Sequence, residues 1–484
     1  MQLYIDGLPS PYEIEQLTRM FYAEVTVKNG FPRDKGPMVL ARFGRTRFLA
    51  AVRTEHGCTV RCAARNPADD KEPELALARL LFGLLCEKTG LCPPWGVLTG
   101  VRPVRLVHEA LRRGHSDDEV RAEFRERFLT SPEKTELALK TAHAQQQIIN
   151  ALPQRSCSLY IGIPFCPSRC SYCSFVSRTI GSEQKLVAPY VDHLCLEIKE
   201  IAAHIKALGL HLCTLYIGGG TPTSLSAQQL RQLMGVVREC FDLASLEEYT
   251  VEAGRPDCTD FEKLQVLKEY GATRISINPQ TLSDEVLAAI GRQHTAQDIY
   301  RCYEDARRAG HKNINMDLIA GLPKDTVQGF EESLRGVLAL APENITVHTL
   351  TLKRASNLVI DHAAREYEDV ARMVEKNVLL TENGYLPYYL YRQKGTLQNL
   401  ENTGFAKPGF EGRYNIYIME ELHSIFSAGA GGVTKLKAPG NAKIERIFNY
   451  KYPQEYINGF DTLLRRKERI EEFYARYLDT QTSR

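Results

Sequence analysis

The chain has 484 residues, enough for two to four domains and a large buried core. Its 61 basic and 59 acidic residues leave a formal charge of +2, which gives no field for nucleic acid, and no apolar run approaches the roughly 18 residues that span a bilayer. The 13 cysteines are odd in number and the N-terminus MQLYIDGLPSPYEIEQ has no basic-then-apolar export pattern, so a cytoplasmic protein without a disulfide framework is expected.

Residues 1–66 alternate strand-like runs with one helix. QLYIDG, AEVTVKN, MVLARFG and RFLAAVRTEHGCTVRCAA carry β-type residues broken by Gly and Pro. NPADDKEPE then reads as a loop, and residues 72–150 are rich in Leu, Ala, Glu, Lys and Arg at helical spacing. From residue 155 short apolar strands alternate with amphipathic helices. The strands read SLYIGIP (158–164), TLYIGGG (214–220), EYTVEAG (248–254), RISINPQ (274–280), INMDLIAG (314–321) and NITVHTLTL (344–352). This pattern predicts a parallel α/β sheet, barrel-like or open, with right-handed connections. After about residue 385 it stops, and a Tyr- and Gly-rich segment with a basic helical tail follows.

Unusual residues gather at one end of these strands. Three cysteines follow the first, GGGTPT follows the second and Glu252 ends the third. Asn278 and Gln280 end the fourth, Asp317 sits late in the fifth, and His348, Thr349 and Thr351 sit late in the sixth. In parallel α/β folds that end carries the chemistry, because adjacent loops converge there. A polar residue buried in such a strand also needs a partner, or it costs roughly 1–3 kcal/mol.

Cys166, Cys170 and Cys173 present three soft thiolates from one loop, which suits an iron–sulfur cluster or zinc. Structural zinc normally takes four ligands, and no fourth is evident locally. A redox thiol site needs only a CxxC pair. The other ten cysteines read as small buried hydrophobes. GGGTPT reads either as a tight turn capped by Thr223 or Ser226, or as a backbone that approaches a ligand closely. Arg292 is either a surface charge or a carboxylate clamp.

YIGIPFCPSRCSYCSF (160–175) resembles the cluster loop of radical S-adenosylmethionine (SAM) proteins. More narrowly, it is similar to the oxygen-independent coproporphyrinogen III oxidase group, whose loop reads IPFC-xxx-C-x-[YF]-C. YIGGGTPTSL, VEAGRPD, RISINPQT, IGRQHT and NMDLIAGLP follow in that group's order and spacing. WGVLTGVRPVRLVHEAL, YYLYRQK, LENTGFAKPG and GAGGVTK look most like its HemZ-type subgroup and extend the likeness over nearly the whole chain. The resemblance implies a radical SAM partial (β/α)6 barrel over 151–384, after a mixed α+β domain over 1–150 and before a HemN-like, substrate-side domain over 385–484.

It implies that Cys166, Cys170 and Cys173 ligate a [4Fe–4S] cluster whose open iron takes the amino and carboxylate groups of SAM. Tyr160 and Tyr172 would lie against the cofactor, and Gly219, Gly220 and Thr221 would line its methionine part. Glu252, Gln280, Arg292 and Asp317 would hold the carboxylate, ribose and neighbouring groups. The implied reaction oxidatively decarboxylates two propionates of coproporphyrinogen III by way of a 5′-deoxyadenosyl radical, giving protoporphyrinogen IX for haem biosynthesis. A reduced flavodoxin or ferredoxin-type protein would supply electrons. Arg392, Lys394, Lys407, Arg413 and Lys435 are candidates to face the four propionates. Established oxidases of the group carry a further cysteine where this chain has Phe175, as the haem-chaperone relatives also do. A haem-binding, chaperone-like protein and another radical SAM enzyme acting on a tetrapyrrole are therefore the alternatives.

Overall fold

The computed structural model describes residues 1–478 except 9, 23, 33–34, 67–71, 101, 174–176, 352–369, 394–395 and 441–442. The chain divides into two units, Met1–Ala142 with Tyr391–Glu401, and His143–Leu390 with Asn402–Arg484.

In the first unit, the β-type runs form β1 (Gln2–Asp6), β2 (Thr26–Asn29), β3 (Met38–Phe43), β4 (Arg47–Thr54) and β5 (Gly57–Ala64), in the order β2-β1-β3-β4-β5. The long run RFLAAVRTEHGCTVRCAA folds back as an antiparallel hairpin, with Gly57 at φ 134° where the chain reverses. The helix Pro73–Thr89 begins on a proline, whose missing N–H costs nothing there, and stops at Gly90 in the left-handed region. Trp95 is fully buried and its indole N–H donates to Glu401 at 2.8 Å. Lys134 holds the other oxygen of the same carboxylate at 2.6 Å.

The second unit contains all six expected strands. They are β6 (Ser156–Ile163), β9 (His211–Gly219), β10 (Glu248–Glu252), β11 (Arg274–Ser276), β12 (Ile314–Ala320) and β13 (Asn344–Thr349). All are parallel and lie in chain order. Two short strands, β7 (Phe165–Cys166) and β8 (Arg178–Thr179), pair with each other above the first. The residues after 385 add β14 (Leu386–Arg392), β15 (Glu401–Ala406), β16 (Ser424–Ala428), β17 (Val433–Lys437) and β18 (Ile444–Phe448) to the same sheet. β15 runs antiparallel on β13 at one edge, and β16 runs parallel on β6 at the other. Among the described residues the sheet has eleven strands. Ser226, Thr295 and Thr326 cap the helices Ala227–Cys240, Ala296–Arg308 and Val327–Leu340.

The strands are less uniformly apolar than the sequence reading supposed, because period-two alternation separates their faces. Aligned neighbours on one face are Leu159, Leu215 and Tyr249, then Ile161, Ile217, Val251, Ile275 and Ile314. The opposite face carries Ser158, Thr214 and Glu248, then Tyr160, Tyr216, Thr250 and Arg274, then Glu252, Ser276, Asn315 and Asn344. The aliphatic residues of the first face are buried, and on the polar face Tyr414 of the helix Arg413–Glu420 stacks on Tyr216. β11 also ends four residues before its expected limit. Pro279 lacks the N–H a ladder needs, and Gln280 lies at φ 68° and rejoins β12 through a single bridge to Leu318. No helix among the described residues is long and apolar enough to cross a membrane.

A fully buried ion pair ties the C-terminal helices to this sheet. Lys467 Nζ lies 3.0 Å from Glu197 and donates to the Ser427 carbonyl at 2.7 Å. Glu197 also accepts from the Gly429 N–H, Asn449 and Tyr456 at 2.7–2.8 Å. Removing Glu197 strands a buried ammonium and three donors, whereas removing Lys467 leaves a carboxylate that still has three donors. Glu197→Ala is therefore expected to cost about 3–5 kcal/mol in urea unfolding, and Lys467→Met distinctly less. Equal losses, or the reverse order, would contradict this account.

Candidate functional site

The three cysteines sit on a loop pinned at both ends. β7 follows directly from β6 through Pro164, and its pairing with β8 returns the chain beside its starting point: Ile180 N donates to the Cys166 carbonyl at 2.9 Å. The crest of the loop is held by the turn after the helix Asp284–Ala289. Ser171 N donates to the Ile290 carbonyl at 3.0 Å and Ser168 Oγ to the Gly291 carbonyl at 3.3 Å. Cys170 is buried, and Cys166 and Cys173 are partly so.

The Gly-rich turn after β9 clasps this loop. Gly220 N donates to the Ile163 carbonyl and Thr221 N to the Phe165 carbonyl, both at 2.7 Å. A Cβ on Gly220 would lie 2.4 Å from the Phe165 carbonyl oxygen and 3.0 Å from Cys166 Sγ. Gly219 has φ 110°, and a Cβ there would crowd Ile163 and the Tyr160 hydroxyl. Thr221 Oγ1 approaches Cys166 Sγ at 3.6 Å. The turn and close-approach readings of GGGTPT both hold: Ser226 caps the next helix, and the glycines admit the backbone to the cysteine loop.

The polar face brings the acids together beside it. The Tyr216 hydroxyl donates to Glu252 at 2.7 Å, and the Gly219 N–H favours the same carboxylate. Burial, aided by the charge of Asp317, nonetheless pushes Glu252 up to about 7. Burial alone would also raise Asp317, but His348, Asn315 and the charge of Arg274 outweigh it and hold Asp317 below its ordinary value. Asn315 donates to Asp317 at 2.7 Å and His348 Nε2 lies 3.7 Å away. Two carboxyls whose ionisations are pushed apart suit different tasks at one pH. Tyr160 and Tyr216 stack with ring centres 6.0 Å apart, and Tyr414 stacks on Tyr216 at 4.6 Å.

Arg292 is buried, not a surface charge. It donates to the Asn278 carbonyl at 2.7 Å and to the Tyr172 hydroxyl at 3.1 Å. Its Nε, Gln280 Oε1 and Asn278 Oδ1 are buried without a hydrogen-bond partner among the described residues. Buried orphans grouped this way fit a polar ligand that completes them. A single metal ion needs its ligands converged on one point, with zinc–sulfur bonds of about 2.3 Å. Among the described residues no three His, Cys, Asp or Glu side chains converge so. A four-iron cluster instead meets each thiolate at a different iron, which fits three cysteines spread along one loop.

Sequence reasoning missed Arg255, which lies within the quoted VEAGRPD. It is 3% exposed and donates to Cys170 Sγ at 3.3 Å. An arginine just past a strand end, two residues before an acid, was the available signal. Tyr414 was missed because its helix, Arg413–Glu420, lies far from the strands in sequence. Two expected propionate partners prove to be engaged elsewhere. Arg392 is buried and donates to the Leu98 carbonyl at 2.6 Å, and Arg413 pairs with Glu247 at 3.1 Å. Lys407 reaches the Ala341 carbonyl, and Lys435 lies on β17. Lys394 and Phe175 fall outside the described residues. Of the ten other cysteines, Cys58, Cys62 and Cys92 are exposed, contrary to the buried reading.

Comparison with known proteins agrees with this geometry. The Radical SAM superfamily model matches residues 160–337. The chain is 40% identical over 398 residues to the oxygen-independent coproporphyrinogen-III oxidase-like protein HemZ of Bacillus subtilis, covering 81% of this chain and 79% of that protein. It is 35% identical over 289 residues to the heme chaperone HemW of the same organism, covering 57% of this chain and 70% of HemW. In fold it is similar to the coproporphyrinogen III oxidase HemN of Escherichia coli, with a TM-score of 0.51 at 24% identity over 66% of this chain and 72% of that one. The six parallel strands and their helices are thus a radical SAM fold, and the chain belongs to the HemZ-containing, oxygen-independent coproporphyrinogen III oxidase-like family of the radical SAM superfamily.

Proposed function

We propose that this chain is a radical SAM oxidoreductase that decarboxylates propionate side chains of coproporphyrinogen III without oxygen. The observation that carries this reading is the clasp of the cysteine loop by the Gly-rich turn, beside acids and unpartnered polar atoms at the strand ends. Cys166, Cys170 and Cys173 would hold a [4Fe–4S] cluster. When bound, the cluster and SAM supply a one-electron cleavage that yields methionine and a 5′-deoxyadenosyl radical.

The chain's own residues bind and orient. Gly219 and Gly220, whose missing Cβ atoms let the turn close on Ile163, Phe165 and Cys166, line the methionine part of SAM with Thr221. Glu252, as the carboxylate, accepts from an ammonium group. Asp317, held ionised by its neighbours, accepts from ribose hydroxyls. Arg292 and Gln280 supply the unpartnered donor and acceptor. Tyr160 and Tyr172 wall the site with rings whose hydroxyls burial keeps protonated. Excluding water by these walls protects a reactive radical from side reactions. A low-potential protein donor of the flavodoxin or ferredoxin type would supply the electron.

The relative HemW, a heme chaperone, supports a second reading in which the same site regulates haem delivery. The test is made without oxygen, with reconstituted chain, reductant, SAM and coproporphyrinogen III, and the tetrapyrrole is weighed by mass spectrometry. Loss of two formic-acid equivalents, CO2 and two hydrogens from each of two propionates, with 5′-deoxyadenosine formed, is the expected result. An unchanged tetrapyrrole, with haem retained stoichiometrically through gel filtration, would overturn the enzyme reading in favour of the carrier.

The environment of Glu252 yields a pH prediction. Its carboxyl is protonated below about 7 and then carries no charge to hold an ammonium. SAM affinity, measured by anaerobic equilibrium dialysis, should fall as pH drops through about 7, and Glu252→Gln should be weak and flat across that range. A variant with the wild-type profile would show that Glu252 does not face the SAM amine.

A further inference from the structure

Arg255 directs every donor it has at the cysteine loop and one acid. Nη1 donates to Cys170 Sγ at 3.3 Å and to the Ser168 carbonyl at 3.4 Å. Nη2 donates to Ser168 Oγ at 2.9 Å and Asp257 at 2.6 Å, and Nε donates to the other Asp257 oxygen at 2.9 Å. This two-pronged pair with Asp257 fixes the guanidinium plane. Behind it, His294 is buried and lies 3.9 Å from Asp257. Burial, with the positive charge of Arg292, lowers His294 to about 4, so the imidazole adds no charge at neutral pH. The loop does not need Arg255 as its sole support, because the β7–β8 pair, the Ile290 and Gly291 carbonyls and the Gly-rich turn already hold it. What Arg255 supplies is a cation held in plane and hydrogen-bonded to the Cys170 sulfur, on which the buried Arg292 guanidinium also acts. Cys166, by contrast, meets the neutral hydroxyl of Thr221.

Resting on the reading that Cys170 ligates the cluster, we propose that Arg255, held in plane by Asp257, is a positioning residue that raises the reduction potential of that cluster through its N–H···S hydrogen bond and its charge. Reduction takes one electron from the protein donor and adds one negative charge to a centre already bound by three thiolates. A buried cation at one sulfur stabilises that added charge, and hydrogen bonds to cluster sulfurs are an established means of tuning potential.

The test is a mediator titration of the reconstituted full-length protein without SAM, following the reduced cluster by electron paramagnetic resonance. Arg255→Met removes donor and charge, Arg255→Gln keeps a donor, and Arg255→Lys keeps the charge. With iron content equal to wild type, the midpoint should fall in the Met variant by at least a tenfold change in the one-electron equilibrium, ~59 mV. The Gln and Lys variants should fall between. If the Met variant does not retain iron, the other two decide. Full-iron Gln or Lys protein with a wild-type or higher midpoint would overturn the proposal. Full cluster content in Cys170→Ala would instead remove the ligand reading beneath it, so the two failures are distinguishable.

Discussion

The site depends on how closely two loops can approach. Gly220 stands where a Cβ would lie 2.4 Å from the Phe165 carbonyl oxygen, so only glycine lets the end of β9 meet the start of the cysteine loop. That approach allows two backbone N–H groups to hold the strand-end carbonyls of Ile163 and Phe165 at 2.7 Å. The position of Cys166 then follows from backbone bonds between two adjacent strands. A loop bearing three thiolates would otherwise have wide conformational freedom.

The second constraint is the division of the sheet into an apolar and a polar face. Buried aliphatic residues such as Ile161, Ile217, Val251 and Ile275 fill one face. On the other, Glu252, Arg274, Asn315 and Asp317 are carried on strands, which place side chains more exactly than loops do. Arg274 is 1% exposed, and its Nε and Nη2 have no hydrogen-bond partner among the described residues. Its charge helps to hold Asp317 ionised, while burial leaves Glu252 close to neutrality. One polar face thus produces two acids of different character.

Much of this was legible in the sequence because it is local. The six parallel strands are short apolar runs, four of them followed by helices capped by Ser226, Asp260, Ser283 and Thr326, and the cysteine spacing lies within eight residues. The placement of Glu252 and Asp317 followed from their position late in strands. The unread parts depend on distant contacts. Nothing in FSAGAGGVTK says that β16 lies parallel on β6, because that pairing joins segments some 265 residues apart. In sequence Arg392 is a candidate to face a propionate, because the carbonyls near residue 100 that it bonds lie almost 300 residues away. Arg255 was within a quoted motif, but its role shows only once the loop carrying Cys170 is folded over it.

In the proposed function Cys166, Cys170 and Cys173, on a clasped loop, would hold a cluster that binds SAM. The most direct measurement is the electron paramagnetic resonance spectrum of the anaerobically reconstituted, reduced protein before and after SAM is added. A four-iron signal that changes shape on SAM addition is expected. A signal indifferent to SAM, or reconstituted protein that retains no iron, would contradict it.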